Sequence, residues 1–295
     1  MTEEKLPEET GPQSETAEEK TKEKGILVLF RFILVPLVVV GIVVFIIVLF
    51  GRVALKEKSV RDYVYDIRTG SQSERWQAAY QLSNMLANSK KDYAEEARQQ
   101  LPDILLIFNG AKGKDPKIRQ YLALTLGRLQ DPRAVPALQE GVNDEDSQTA
   151  IWCIWALGNL GDKGSVPLIL TKLEDQDSAI RIMSAYVLGA IGDPRAIAPL
   201  QGHLDDSSPE VSWNAAIALA RLKDPAGADI LAKLMDRQYL AGFPQMAEQN
   251  KQELMLNAIV ASTKLNDPQL REQVKKLSTS DPSPTVRDAA LKALE

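Results

Sequence analysis

The chain holds one cysteine and one histidine in 295 residues. A lone cysteine excludes an intrachain disulfide and any cysteine-based metal cluster. A zinc centre or a Ser–His–Asp triad needs partners at defined positions, and no such cluster accompanies His203. His203 is expected at the surface, near the end of a helix. Aromatics make up only 6% of the chain, and neither charge dominates, with 35 basic against 40 acidic residues. The basic footprint of a nucleic-acid binder is therefore missing, and nucleic acid is not an expected partner. Gly110–Lys114 lacks the full G-x-x-x-x-G-K-[ST] spacing and has Asp115 where a hydroxyl belongs, so it reads as a loop. Catalytic residues, cofactors and metals are all expected to be none, and the chain does not read as an enzyme.

What the chain does have is a rhythm. Leu126-Gly127 returns as Leu157-Gly158, Leu188-Gly189 and Leu219-Ala220, each step being 31 residues. Asp131 keeps pace as Asp162, Asp193 and Asp224. A repeat of this length marks a solenoid. Within one copy, Leu122, Ala123, Leu126 and Leu129 share one side of a first helix, while Val135, Leu138 and Val142 line a second. Asp115, Asp146 and Asp177 precede the first helices, where a carboxylate can accept the orphan N–H groups of the opening turn. Asp131-Pro132, Asp193-Pro194 and Asp224-Pro225 supply a cap and then a proline whose missing N–H costs nothing at the first helical position. Paired carboxylates for acid–base work or Ca²⁺ are the other reading of these columns. Their recurrence at helix starts favours capping. Cys153 falls in a core column and is expected to be a small buried hydrophobe rather than a reactive thiol. Each unit is a helical hairpin that buries its apolar face only by stacking on its neighbours.

The pattern of Asp, Arg119 or Arg181, Leu-Gly, then Asp-Pro-x-Ala-Val/Ile and Leu resembles HEAT repeats, most nearly the short bacterial subtype of phycobilisome lyases. The resemblance covers residues 72–295. It implies a right-handed α-solenoid with first helices on the convex side, second helices on the concave side, and a concave surface used to bind proteins. The expected fold is thus an all-α, right-handed solenoid of helical hairpins preceded by one transmembrane helix.

Residues 1–24 hold eight Glu and four Lys with Leu6 as their only large aliphatic side chain, which predicts a disordered acidic tail, or in functional terms a docking peptide. Residues 25–51 form an apolar stretch uncharged from Phe32 to Phe50. At about 1.5 Å per residue that length spans close to 30 Å, and it predicts a membrane helix with the lipid bilayer as its partner. No cleavage site for a signal peptide is evident. Arg31 near its amino end can snorkel to the headgroups, and Pro36 and Gly41 are candidate bends. Lys20, Lys22, Lys24 and Arg31 flank one end and Arg52, Lys56, Lys58 and Arg61 the other, so the charge rule leaves the side of the solenoid open. The expected location is a cell (inner) membrane, crossed once. Residues 52–71 read as a connecting helix carrying Val60, Tyr63, Val64 and Ile67 at helical spacing. A long second helix is expected over 92–108, a longer connection over 238–250, and further helices near 250–265 and 268–278.

Arg133, Pro136 and Glu140 follow i, i+3, i+7 on a second helix and should face the groove. Their counterparts are Gly164, Pro167 and Thr171, then Arg195, Ala198 and Gly202, then Ala226, Asp229 and Lys233. Arg133, Glu140, Thr171, Arg195 and Lys233 are the candidate protein-binding residues. Trp152 and Trp213 are candidate interface anchors, since tryptophan is enriched at hot spots, with burial against the next repeat as the competing reading. The function these features favour is a membrane-anchored scaffold for unknown protein partners. The lyase resemblance implies an alternative, a chaperone-like subunit acting on tetrapyrrole attachment.

Overall fold

The computed structural model describes residues 34–54, 58–88 and 93–295. The expected acidic tail, Arg31 and the opening of the apolar stretch lie outside the described residues. The chain divides into two units, Met1–Lys58 and Ser59–Glu295, taken separately below.

In the first unit, helix α1 (Val35–Ala54) runs unbroken through Gly41. Every side chain described in it, over 34–46, is exposed, including Leu37 and Phe45 at 67% and 64%. Among the described residues no helix is long and apolar enough to cross a membrane.

The second unit contains no strand among its described residues. It opens with α2 (Val60–Thr69), started by a reciprocal cap in which Ser59 and Asp62 satisfy each other's backbone N–H. Val60, Val64 and Ile67 are buried against α3 (Gln72–Asn88) and its neighbours. The sequence places the start of the solenoid at residue 72 and reads 52–71 as a connector. The compact unit begins at Ser59, and the apolar edge of α2 is covered by the first repeat. The long second helix expected over 92–108 is two helices, α4 (Ala94–Gln99) and α5 (Leu101–Gly110), broken at Gln100. Pro102 explains the break: its nitrogen has no hydrogen to give to the preceding turn.

Four regular hairpins follow: α6 (Pro116–Leu129) with α7 (Val135–Gly141), α8 (Ser147–Leu160) with α9 (Val166–Thr171), α10 (Ser178–Ile191) with α11 (Ile197–Gly202), and α12 (Pro209–Arg221) with α13 (Ala228–Leu234). The aspartates cap as their positions predict: Asp115, Asp146 and Asp177 accept from Ile118, Thr149 and Ala179, and Asp131, Asp193 and Asp224 accept from the N–H two residues on. Between the helices of each pair the chain reverses through one left-handed residue, Gln130, Gly161, Gly192 or Lys223, at φ 50°, 65°, 72° and 64°. Two of the four repeats thus hold a side chain in a conformation that glycine takes freely. The expected connection over 238–250 contains a short helix, α14 (Arg237–Ala241), capped by Asp236. Helices α15 (Glu248–Ser262), α16 (Pro268–Ser280) and α17 (Pro284–Lys292) complete the chain.

First helices pack on first helices from one repeat to the next. The repeated leucines Leu126, Leu157, Leu188 and Leu219 are fully buried. Helix α12 divides its sides: Ala215, Ala218 and Leu219 join the core of the preceding repeats, while Trp213, Ala216, Ile217 and Ala220 join that of the following ones. Neighbouring repeats are also joined by buried ion pairs. Arg119 approaches Asp144 at 2.8 Å without hydrogen-bond alignment and donates to the Phe108 carbonyl. Arg181 holds both oxygens of Asp206 and donates to the Asp175 carbonyl. Farther along, Arg237 holds both oxygens of Asp281.

Candidate protein-binding face

The second helices are short, six or seven residues in the regular repeats, so each offers about two turns and little room for more than one outward column. Their inward residues Leu138, Ile169, Leu200 and Leu231 are fully buried. The column i, i+3, i+7 is left facing out. All its members, from Arg133, Pro136 and Glu140 through Gly164, Pro167, Thr171, Arg195, Ala198 and Gly202 to Ala226, Asp229 and Lys233, are exposed.

The charges on this face are largely spent. Arg133 forks onto Asp131, with Nε and Nη2 at 2.9 and 2.7 Å, and reaches back to the Arg98 carbonyl. Arg195 repeats this on Asp193 and the Lys163 carbonyl. The Arg195 guanidinium pulls the Asp193 carboxyl down to about 2 and its own pKa rises. Glu140 is paired with Lys112 of the preceding repeat at 2.6 Å, and its pKa is lowered by that contact. The Thr171 hydroxyl donates to the Leu168 carbonyl. Among the described residues Lys233 has no ion-pair partner. The structure sets these five residues along successive repeats of one face, and none of them contacts another. Between Gly164 and Gly202 the face is small and almost uncharged once Arg195 is tied down.

The two tryptophans part company. Trp152 is half-buried, edge-on to Trp155 at 6.1 Å. Trp213 is 2% exposed and does not stand at the surface as an interface anchor. Tyr239 and Phe243, delivered by α14 and the turn after it, close over its ring at 6.5 and 4.9 Å, and its indole N–H donates to the Tyr239 hydroxyl. His203 is not a surface residue either. It is 9% exposed, with one ring nitrogen 3.1 Å from Glu174 and the other 3.3 Å from Asp206. Its place just after α11, where two inter-repeat loops meet, explains the burial. Cys153 is fully buried, and burial pushes its thiol up to about 12. Among the described residues no group of three or more His, Cys, Asp or Glu is placed to hold a metal ion.

Two features escaped the sequence reading. The aspartates at 144, 175 and 206 repeat at the same interval as the caps, and with Arg119 and Arg181 they signal the inter-repeat pairs. The other is a cleft between α13 and α16, opened where the rhythm slips, and only the slip itself hinted at it.

Comparison with known proteins agrees with this architecture. Residues 104–171 and 166–242 match the family described as HEAT repeats. No curated protein matches the chain. Among solved structures it is similar to the complex of CpcE and CpcF of phycocyanin lyase from Nostoc sp. PCC7120, at 18% identity and a TM-score of 0.55 over 81% of this chain and 96% of that one. An engineered protein aligns at 18% identity, covering 80% of this chain and 94% of its own, with a TM-score of 0.43. Human deoxyhypusine hydroxylase in complex with glycerol aligns at 15%, covering 80% and 94%, with a TM-score of 0.32.

Proposed function

We propose that the protein is a membrane-anchored HEAT-repeat scaffold that binds other proteins along the face of its second helices, the concave side in arrays of this family. The observation that carries this reading is the continuous exposed column from Arg133 to Lys233, set over a fully buried inward column. A face of mixed and small residues, with Arg133, Glu140 and Arg195 tied into the fold, offers shape rather than a strong field, which suits a protein surface. The anchor rests on the uncharged run Phe32–Phe50 and on apolar side chains exposed over 34–46, which water does not favour on a lone helix.

Photo-crosslinking residues introduced at Thr171 and Ala198 test the face, with Tyr186 on a first helix as control. A discrete adduct from the first two and none from the third is expected. Equal labelling at all three positions would sink the reading. For the anchor, the full chain should stay in the membrane pellet after alkaline carbonate, and Val43→Lys with Phe45→Lys should release it. Extraction of the unaltered chain would remove the anchor from the proposal.

The fold-level likeness to phycocyanin lyase supports a second reading, a subunit acting in tetrapyrrole attachment. It expects visible absorbance to co-purify with the chain. A colourless protein that also stays colourless when mixed with a tetrapyrrole counts against it.

A further inference from the structure

The first helices carry an outward column of their own. Tyr121 and Leu124 on α6, Trp152 and Trp155 on α8, and Met183 and Tyr186 on α10 stand at matching positions in successive repeats. None of the six is fully buried, and Tyr80 on α3 joins them, edge-on to Tyr121 at 5.3 Å. Tyr80 and Tyr186 are 42% and 41% exposed. The band ends at α12, where the matching residue, Ile217, is buried. Its rings keep their polar tips outside. Among the described residues no protein group accepts from the hydroxyls of Tyr80, Tyr121 and Tyr186 or from the indole N–H groups of Trp152 and Trp155. The buried Trp213, by contrast, gives its N–H to Tyr239. An aromatic side chain with a packed body and a free polar tip suits a boundary between apolar and wet surroundings.

Charge is spread unevenly around this band. Helices α6, α8 and α10 contain no aspartate or glutamate, although acidic residues outnumber basic ones 40 to 35 in the chain. Carboxylates gather at the edge where these helices start: Asp115, Asp146 and Asp177 as caps, with Glu145 and Glu174 exposed in the loops before α8 and α10. The other end of the band is bounded by arginines. Arg128 donates to the Ser83 carbonyl and hydroxyl, and Arg221 lies over the Tyr186 ring, 5.2 Å from its centre. Neither has a carboxylate partner among the described residues. The turns beyond them balance, with Asp131, Asp162, Asp193 and Asp224 set beside Arg133, Lys163, Arg195 and Lys223. This margin therefore keeps the charge of Arg128 and Arg221.

We propose that this band lies against the headgroup region of a phospholipid bilayer, with its tyrosines and tryptophans at the interface and Arg128 and Arg221 on lipid phosphates. Tyrosine and tryptophan gather at that depth because their rings are apolar while their tips hydrogen-bond. A face without carboxylates escapes repulsion by anionic lipid, and cations at its margin add attraction. The aromatics also run across four successive first helices, whereas hot spots between proteins cluster at a centre ringed by weaker contacts. That distribution fits a lipid surface better than a protein one. The proposal rests on the anchor reading, which keeps the unit at a bilayer, and it leaves the second helices to protein partners.

The test reconstitutes the full chain into vesicles of phosphatidylcholine and phosphatidylglycerol brominated on the upper acyl chain, and follows tryptophan emission. All four tryptophans, Trp76, Trp152, Trp155 and Trp213, belong to the Ser59–Glu295 unit, so the anchor itself is silent. Emission is expected to be quenched relative to vesicles without bromine. Trp152→Phe with Trp155→Phe should remove at least half of that quenching. Tyr80→Glu with Tyr186→Glu, which puts carboxylates on the band, should lower it by a similar share while circular dichroism shows the helices intact. Leu106→Glu, the same kind of change on an exposed side chain of α5, should leave it unaltered. Equal loss with Leu106→Glu would overturn the proposal. So would absence of quenching in a chain that stays in the carbonate pellet, which leaves the anchor standing and removes only the lipid contact of the band. Extraction by carbonate would remove the anchor and this proposal with it. A discrete protein adduct from the crosslinker at Tyr186 would assign the band to a protein partner and overturn it as well.

Discussion

At the scale of single residues, the glycine after three of the four repeated leucines sets how closely first helices approach. A Cβ built on Gly189 would lie 2.6 Å from the Cα and Cβ of Ala218, and one on Gly158 would meet the Val187 side chain, its methyls at 2.9 Å and its Cβ at 3.3 Å. Backbone cannot step aside as a side chain can. Replacing glycine by alanine in a helix gains about 1 kcal/mol of propensity, while overpacking costs about 1–3 kcal/mol. For Gly189→Ala the clash should win, with a net loss of up to about 2 kcal/mol in urea denaturation. For Gly158→Ala the two should nearly cancel, as a modest shift of Val187 makes room. If both variants lose the same stability, helix spacing is not set by the residue facing the glycine.

At the scale of elements, the arginine–aspartate pairs act as clamps between repeats, and their response to acid has a definite sign. Hydrogen bonds from Arg181 draw the Asp206 carboxyl down to about 2, against roughly 3.9 in an unfolded chain. A carboxyl depressed on folding stabilises above the unfolded value, and that contribution is lost as pH falls through the folded one. Stability should therefore hold down to about pH 4 and fall between about pH 4 and pH 2. Arg181→Met should lower stability at neutral pH and flatten that acid slope, read from urea midpoints across the pH range. An unchanged slope would show that Asp206 is not clamped in solution. Elements that repeat were legible in the sequence: the 31-residue interval locates each leucine, each cap and the outward column of the second helices. Elements that do not repeat were legible only in part. Helix α2 shows an apolar edge at helical spacing, but no spacing tells what covers it, and it proves to be the first repeat. The long apolar stretch over 92–108 hid the effect of Pro102. Trp213 stands in a column with Gln120, Ile151 and Ile182, and its burial depends on Tyr239 and Phe243, from an insertion that has no counterpart in the other regular repeats. The candidate face was found by periodicity. The pairing of its residues was not, since spacing alone does not show that Asp131 and Asp193 hold Arg133 and Arg195.

At the scale of the Ser59–Glu295 unit, stacking only on neighbours implies that stability is local, a sum over hairpins and the contacts between adjacent ones. Cys153 is a natural reporter of this. It is the chain's only thiol, fully buried in α8, and its pKa of about 12 leaves almost no thiolate at neutral pH while the repeat is closed. A disulfide reagent should therefore react with it only through opening of the surrounding helices. Leu157→Ala, in the same helix, should speed labelling at least tenfold, as buried Leu→Ala changes cost about 2–5 kcal/mol. Leu270→Ala in α16 lies in the second core cluster, away from Cys153. If the array opens repeat by repeat, that change should leave labelling within about twofold while still lowering the overall urea midpoint. Equal acceleration by both substitutions would mean that the repeats open together, with α12, which shares its two sides between the clusters, transmitting the loss from one to the other.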